Sequence, residues 1–196
     1  MEPVILASSS PRRQEILKML GIPYQVIMPN IDETVTAALN ADDVSELFAR
    51  EKVAAVVKSM PSEREIRWVV GADTVIVYDN KVYGKPKDEL EAADFLRTFS
   101  GKTHTVFTTV ALYNGRKHET FTKTSRTKVT FSALSEKEIE WYTGTGEWHG
   151  AAGGYRIQSL ASCFITKIEG TMSGVMGLPI SELYDILKEQ GYSIIE

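Results

Sequence analysis

Val4-Ile5-Leu6-Ala7-Ser8-Ser9-Ser10-Pro11-Arg12-Arg13 sets the pattern of the whole chain. Four apolar residues read as a short buried strand and three serines as a tight loop. Pro11 suits the first helical position, where its missing N–H would be unpaired in any case. The helix predicted over 11–20 carries Ile16, Leu17 and Leu20 on one face and stops at Gly21. Strand, hydroxyl loop and helix N-terminus together make an anion site. Free backbone N–H groups and the helix dipole favour a phosphate beside Ser8, and Arg12 and Arg13 offer bidentate guanidinium groups. A plainer reading stands beside it, in which Ser10 caps a surface helix and both arginines are solvated. Arg13 occupies the place of a capping-box glutamate.

The alternation continues along the chain. A strand is predicted over 24–28, then an acidic turn at Asn30-Ile31-Asp32-Glu33-Thr34. A helix follows over 42–60, with Val44, Leu47, Phe48, Val53 and Val56 at helical spacing. The segment 68–77 is the most apolar, a central strand interrupted by the polar pair Asp73-Thr74. Asp79-Asn80 reads as a tight turn, and Gly84-Lys85-Pro86 leads into a helix over 89–99 ended by Gly101. Strands over 106–113 and 120–123 flank Asn114-Gly115, a hairpin signal, and another strand is predicted over 127–132. Ser135-Glu136-Lys137-Glu138 is a capping box opening a helix to about 143. A glycine-rich loop over 144–154, a strand over 164–169 and a last helix near 181–188 complete the chain. There are no repeats and no linker long enough to separate independent domains, so one domain over 1–196 is expected. The class is α/β: an elongated, twisted mixed sheet flanked by helices, with a central cleft between two lobes.

Composition narrows the function. The 196 residues carry a formal net charge of −4, so no overall basic field recommends a nucleic acid polymer. No run is apolar enough to span a membrane and no basic-then-apolar leader opens the chain, which points to the cytoplasm. The single cysteine, Cys163, forms no intrachain disulfide and reads as a buried apolar residue beside Leu160, Phe164 and Ile165. His104, His118 and His149 make no zinc pattern with it. No phosphate-cradling Gly-x-x-x-x-Gly-Lys-Ser/Thr loop, dinucleotide fingerprint or nucleophile elbow is present.

Asp73 is the strongest catalytic candidate. Its apolar flanks bury it, and a buried carboxylate needs a cation, a metal or a hydrogen-bond network, although a turn-capping role through Thr74 also fits. Gly71 and Ala72 lack bulk and would let a ligand approach the backbone. Lys85, on a loop stiffened by Pro86, is a suitable point charge for phosphate. Lys52 sits mid-helix, where most lysines are solvated. Asp32 and Glu33 suit Mg²⁺ or Mn²⁺ but are common in ordinary turns. In Gly153-Gly154-Tyr155-Arg156-Ile157-Gln158, an amide beside an aromatic ring suits reading a nucleobase edge, while Tyr155 also fits the core.

Taken in order, these stretches resemble one family. They are Leu6 to Arg13, Arg50-Glu51-Lys52, Gly71-Ala72-Asp73-Thr74, Gly84-Lys85-Pro86, Ser100-Gly101-Lys102-Thr103-His104, Ala152 to Gln158 and Gly177-Leu178-Pro179. They resemble the Maf proteins, nucleoside triphosphate pyrophosphatases once named as septum-formation inhibitors, and the likeness covers essentially the whole chain. The resemblance implies a fold like that of inosine-triphosphate pyrophosphatases and hydrolysis between the α and β phosphates with Mg²⁺ or Mn²⁺. By motif position it implies Asp73 as proton acceptor; the chemistry of a carboxylate equally allows Asp73 as a metal ligand, with Glu33 of the acidic turn as a further candidate ligand. Arg12, Thr74 and Gln158 match positions for substrate choice, and Ser8, Arg13, Lys52 and Lys85 would bind the triphosphate. Tyr155-x-Ile157-Gln158 looks like the dTTP/UTP branch, while a sister branch prefers 7-methyl-GTP. The chain departs at Ser159-Leu160-Ala161-Ser162, where that group usually continues in glycine. A homodimer and a house-cleaning role linked to cell-division arrest are also implied. A non-catalytic nucleotide-binding regulator of septum formation is the alternative, but binding alone needs no base at Asp73.

Overall fold

The computed structural model describes residues 1–31, 40–61 and 65–195. Strand β1 (Val4–Ala7) is buried along its length and feeds helix α1 (Pro11–Met19), which buries Ile16 and Leu17. Ser10 makes no side-chain cap on this helix. Instead Ser8 Oγ accepts from the backbone N–H of Ser10 at 3.1 Å. After β2 (Tyr24–Val26), two residues shorter than predicted, comes α2 (Ala41–Ser59), and then β3 (Trp68–Tyr78), which runs unbroken through Asp73-Thr74.

Asp79 and Asn80 take left-handed φ angles of 49° and 58°, the geometry of a tight hairpin turn. They return the chain into β4 (Lys81–Tyr83), a strand too short for the alternation pattern to reveal. Helix α3 (Glu89–Phe99) is capped by Asp88, whose side chain accepts from Glu91 N–H. It buries Ala92, Leu96 and Phe99 at helical spacing.

Strands β5 (Thr103–Asn114) and β6 (Glu119–Phe131) correct the sequence reading, which divided β6 into two shorter strands. The connecting turn also differs. Gly115 keeps an ordinary φ while His118 adopts 54°, so no two-residue Asn-Gly turn forms. A Cβ on Gly115 would overlap the carbonyl oxygen of Ile66, and its N–H donates to Arg67 O at 2.9 Å. Backbone crowding, not turn handedness, requires this glycine.

Helix α4 (Glu136–Gly144) carries the predicted capping box between Ser135 and Glu138. Two short 3₁₀ turns, Ala152–Gly154 and Leu160–Phe164, precede β7 (Ile165–Glu169), α5 (Met172–Met176) and α6 (Ile180–Glu189). Cys163 is exposed, against expectation, because Ala161 and Phe164 take the inward positions of its 3₁₀ turn at spacing three.

The seven-stranded sheet has the order β2-β1-β3-β5-β6-β7, with β4 paired to β3. β1 lies parallel to both β2 and β3, whereas β3–β4 and β6–β7 are antiparallel. The sheet is therefore mixed. The chain divides into two compact units. The first comprises 1–73, 108–124 and 177–196, and the second 74–107 and 125–176. In the first, Ala49, Val53 and Val56 of α2 pack with Ile5, Ala7, Val69 and Ala111. In the second, Leu96 and Phe99 pack with Phe131, Tyr142, Tyr155 and Phe164. Burying a Leu or Phe side chain of this kind stabilises by about 1.5–3 kcal/mol. No helix among the described residues is long and apolar enough to cross a membrane.

Candidate functional site

In the first unit, the parallel pairing of β1 with β3 sets Ala7 opposite Gly71. The residues that follow, Ser8 just after β1 and Ala72-Asp73 within β3, come to the same end of the pair. Ser8 is buried, and its Oγ accepts from Arg13 Nη1 at 3.0 Å. Arg13 Nε donates to Gly177 O at 2.7 Å. Arg13 is thus fixed between the serine loop and the segment before α6, a link that its place in the sequence did not reveal. Arg12 is half-buried.

Lys52 overturns the expectation for a mid-helix lysine. It is only 4% exposed, Asp73 is 7% exposed, and Lys52 Nζ meets Asp73 Oδ1 at 2.5 Å. Gly71 explains how the two meet. A Cβ there would lie 2.7 Å from Val53 Cγ2 and 3.1 Å from Ala49 O, so only glycine lets α2 settle close enough on β3. The space at Gly71 is filled by that helix, which corrects the reading that a ligand would approach its backbone. Arg50, the neighbour of this pair in sequence, is occupied elsewhere. It binds Glu46, Thr120 O and Thr122 Oγ1 on the helix exterior.

In the second unit, Thr74 is half-buried, Lys85 is exposed and Pro86 is buried. Gly84 O accepts from Gly153 N–H at 2.8 Å, which ties the Lys85 loop to the loop leading to Gln158. Gly153 and Gly154 both adopt left-handed φ, 68° and 72°, and a Cβ on Gly153 would come within 2.4 Å of Ile76 Cδ1. The tight turn so formed ends with Tyr155 and Ile157 anchored in the core. Tyr155 takes the core reading: its hydroxyl pairs with His104 Nε2 at 2.8 Å, and burial raises its pKa above the usual range. Burial also pushes His104 down to about 4, so the imidazole is neutral.

Two side chains of this turn keep a buried polar atom unpaired, Arg156 at Nε and Gln158 at its amide oxygen. Leaving a buried acceptor unsatisfied costs about 1–3 kcal/mol, and a donor supplied by a ligand would recover it.

Among the described residues no group of three His, Cys, Asp or Glu side chains is placed to hold a metal ion. Glu33 and Asp32 lie outside the described residues. Mg²⁺ commonly keeps several waters and takes one or two carboxylates together with substrate phosphates. Among the described residues Asp73, whose Oδ1 meets Lys52 Nζ, is the single carboxylate this end of the strand pair offers for that mode of binding.

Fold and site together define a mixed α/β protein with a buried Lys–Asp pair beside a serine-rich helix start. A family model described as Maf-like protein matches residues 3–190, and the chain belongs to that family. A dTTP/UTP pyrophosphatase of Pelotomaculum thermopropionicum is 40% identical over 195 residues, 100% of each chain. Another, of Bacillus cytotoxicus, is 41% identical over 189 residues, 96% of each. Among solved structures, the Ham1 protein of Staphylococcus aureus is 16% identical with a TM-score of 0.46, over 66% of this chain and 72% of that one.

Proposed function

We propose that this protein is a nucleoside triphosphate pyrophosphatase, hydrolysing dTTP and UTP to the monophosphate and pyrophosphate. The observation that carries the reading is the buried, unpartnered Oε1 of Gln158, in a chain whose full-length relatives bear that name. Thymine and uracil carry an N3–H that donates to such an oxygen and an O4 that accepts from the same amide's NH₂. Cytosine offers a lone pair at N3 and an amine at position 4, so both contacts reverse. A site wired for one donor–acceptor pattern rejects the analogue lacking it, because its own polar group is left unpaired.

A triphosphate carries about four negative charges near neutral pH, and electrostatic clamping of the phosphoryl group is the main lever in its hydrolysis. Arg12, Lys52 and Lys85 supply positive charge, with Arg13 and Ser8 fixing the loop that receives the phosphates. Thr74 contributes to substrate choice. Asp73 accepts a proton from the water attacking the α-phosphorus, and the basic groups stabilise the departing pyrophosphate. Lys52 holds the carboxylate in place through Oδ1. Asp73 would hold a Mg²⁺ or Mn²⁺ ion arriving with the triphosphate, and the ion would supply further countercharge.

The test is turnover of dTTP, UTP, CTP, GTP and 7-methyl-GTP with Mg²⁺ or Mn²⁺. Monophosphate and pyrophosphate from dTTP and UTP are expected, with CTP poor. No product from any nucleotide refutes the enzyme reading, and release of single phosphate refutes the α–β cleavage site. Preference for 7-methyl-GTP overturns the pyrimidine assignment.

A further inference from the structure

Gln158 is carried on a turn that is clamped at both ends, and the clamp includes one carboxylate that the chemistry above does not use. At the entry, Arg156 N–H donates to the hydroxyl of fully buried Tyr142 at 3.1 Å. Ser159 N–H closes the turn by donating to Arg156 O at 3.2 Å. At the exit, Glu147 holds two consecutive residues. Ser159 Oγ donates to Glu147 Oε1 at 2.5 Å, and Leu160 N–H donates to Glu147 Oε2 at 3.2 Å. Both carboxylate oxygens are spent on the two residues that immediately follow Gln158.

Glu147 is itself held. Its N–H donates to Thr145 Oγ1 at 3.2 Å, and the next residue, Trp148, is buried with its indole N–H on Thr143 O at 3.0 Å. The carboxylate therefore stands on the framework following α4, not on a free loop. The N–H it takes from Leu160 is that of the first residue of the 3₁₀ turn Leu160–Phe164. Charge-assisted hydrogen bonds of this kind are roughly twice as strong as neutral ones.

From this we infer that Glu147 is a positioning residue for base recognition: it fixes the backbone on which Gln158 presents its unpartnered amide oxygen. The inference rests on the base-reading role proposed for Gln158. Discrimination between uracil and cytosine by one amide depends on holding that amide in one orientation. An amide free to rotate by half a turn offers NH₂ where it offered oxygen, and then suits cytosine. Ile157 anchors the turn on one side of Gln158 through the core. On the other side the anchoring is polar and comes from Glu147.

The experiment compares wild type with Glu147→Gln and Ser159→Ala, the second removing a single hydroxyl with little risk to folding. For each folded protein, kcat and KM are measured separately for UTP and CTP. We expect KM for UTP to rise about tenfold in Glu147→Gln, with kcat changing far less and CTP hardly affected. The UTP-to-CTP preference in kcat/KM then falls by a similar factor, and Ser159→Ala moves it in the same direction. An unaltered preference in both variants overturns the inference, as does an equal loss on both nucleotides.

A second readout needs no turnover. Hydrogen exchange at the Leu160 amide and the Gln158 side-chain NH₂ resonances in NMR report the turn directly. Faster Leu160 exchange and averaged Gln158 signals in Glu147→Gln support the inference, and unchanged spectra refute it. Wild-type protein inactive on every pyrimidine triphosphate overturns the proposed function, while these spectra still decide whether Glu147 orders the turn.

Discussion

Lys52 and Asp73 are both nearly sealed from water, a costly arrangement for two charges. Burying an ion pair is weak evidence of stabilisation, since apolar residues of similar size often do as well, whereas removing one partner costs about 3–5 kcal/mol. Stability alone does not account for such a pair, and the role proposed for Asp73 as proton acceptor does. His104 is the contrasting case, buried for structure. In the unfolded chain it titrates near 6.5, and in the fold burial holds it down to about 4. As pH falls the unfolded chain binds the proton first. The stability His104 contributes is therefore complete above about pH 6.5 and drains away toward pH 4. Urea unfolding at pH 7 and pH 5 should show a loss of about 2 kcal/mol in wild type beyond that of His104→Asn. Equal losses in the two proteins would mean the imidazole titrates normally in the fold.

At the scale of elements, the contact between α2 and β3 sets the site. Spacing alone assigned Lys52 to solvent, because a helix pattern shows which residues share a face but not how closely that face is approached. In the sequence Gly71 offers room for a ligand, and the structure fills that room with Val53 and the Ala49 carbonyl. Gly71→Ala should push α2 outward, cost about 1–3 kcal/mol of stability as an overpacked substitution, and lower kcat by parting Lys52 from Asp73. A variant with wild-type melting temperature and kcat would show that α2 yields without moving the pair. Elements with local signals were legible in advance: the Ser135 capping box, the Asp79-Asn80 turn and Pro11 opening α1. Strand β4 and the unbroken length of β6 were not. A three-residue strand has too few positions to alternate visibly, and β6 is half-exposed over 120–124, which weakens its pattern.

For the whole molecule, stability and ligand binding are linked. A nucleotide bound to the folded state at one hundred times its Kd stabilises by about 2.7 kcal/mol, which in a chain of this size raises the melting temperature by about 5–10 °C. Asp73→Asn is expected to keep that shift with dTTP while losing about 10²–10⁴ in kcat. If kcat instead recovers at high Mg²⁺, Asp73 serves the metal more than the proton. If the shift disappears, it serves binding. The amino-acid sequence by itself determined the α/β class, most helix boundaries, the family and the residue types at the site. Those follow from periodicity, caps and motif order, which are local along the chain. Only the tertiary structure decided that Lys52 is buried on Asp73, that Arg13 is fixed by Ser8 and Gly177, that Tyr155 belongs to the core, and that Glu147 closes on the turn carrying Gln158. Each of these depends on how closely distant segments approach and on which polar atoms then lose water, and neither quantity is written in the spacing of residues.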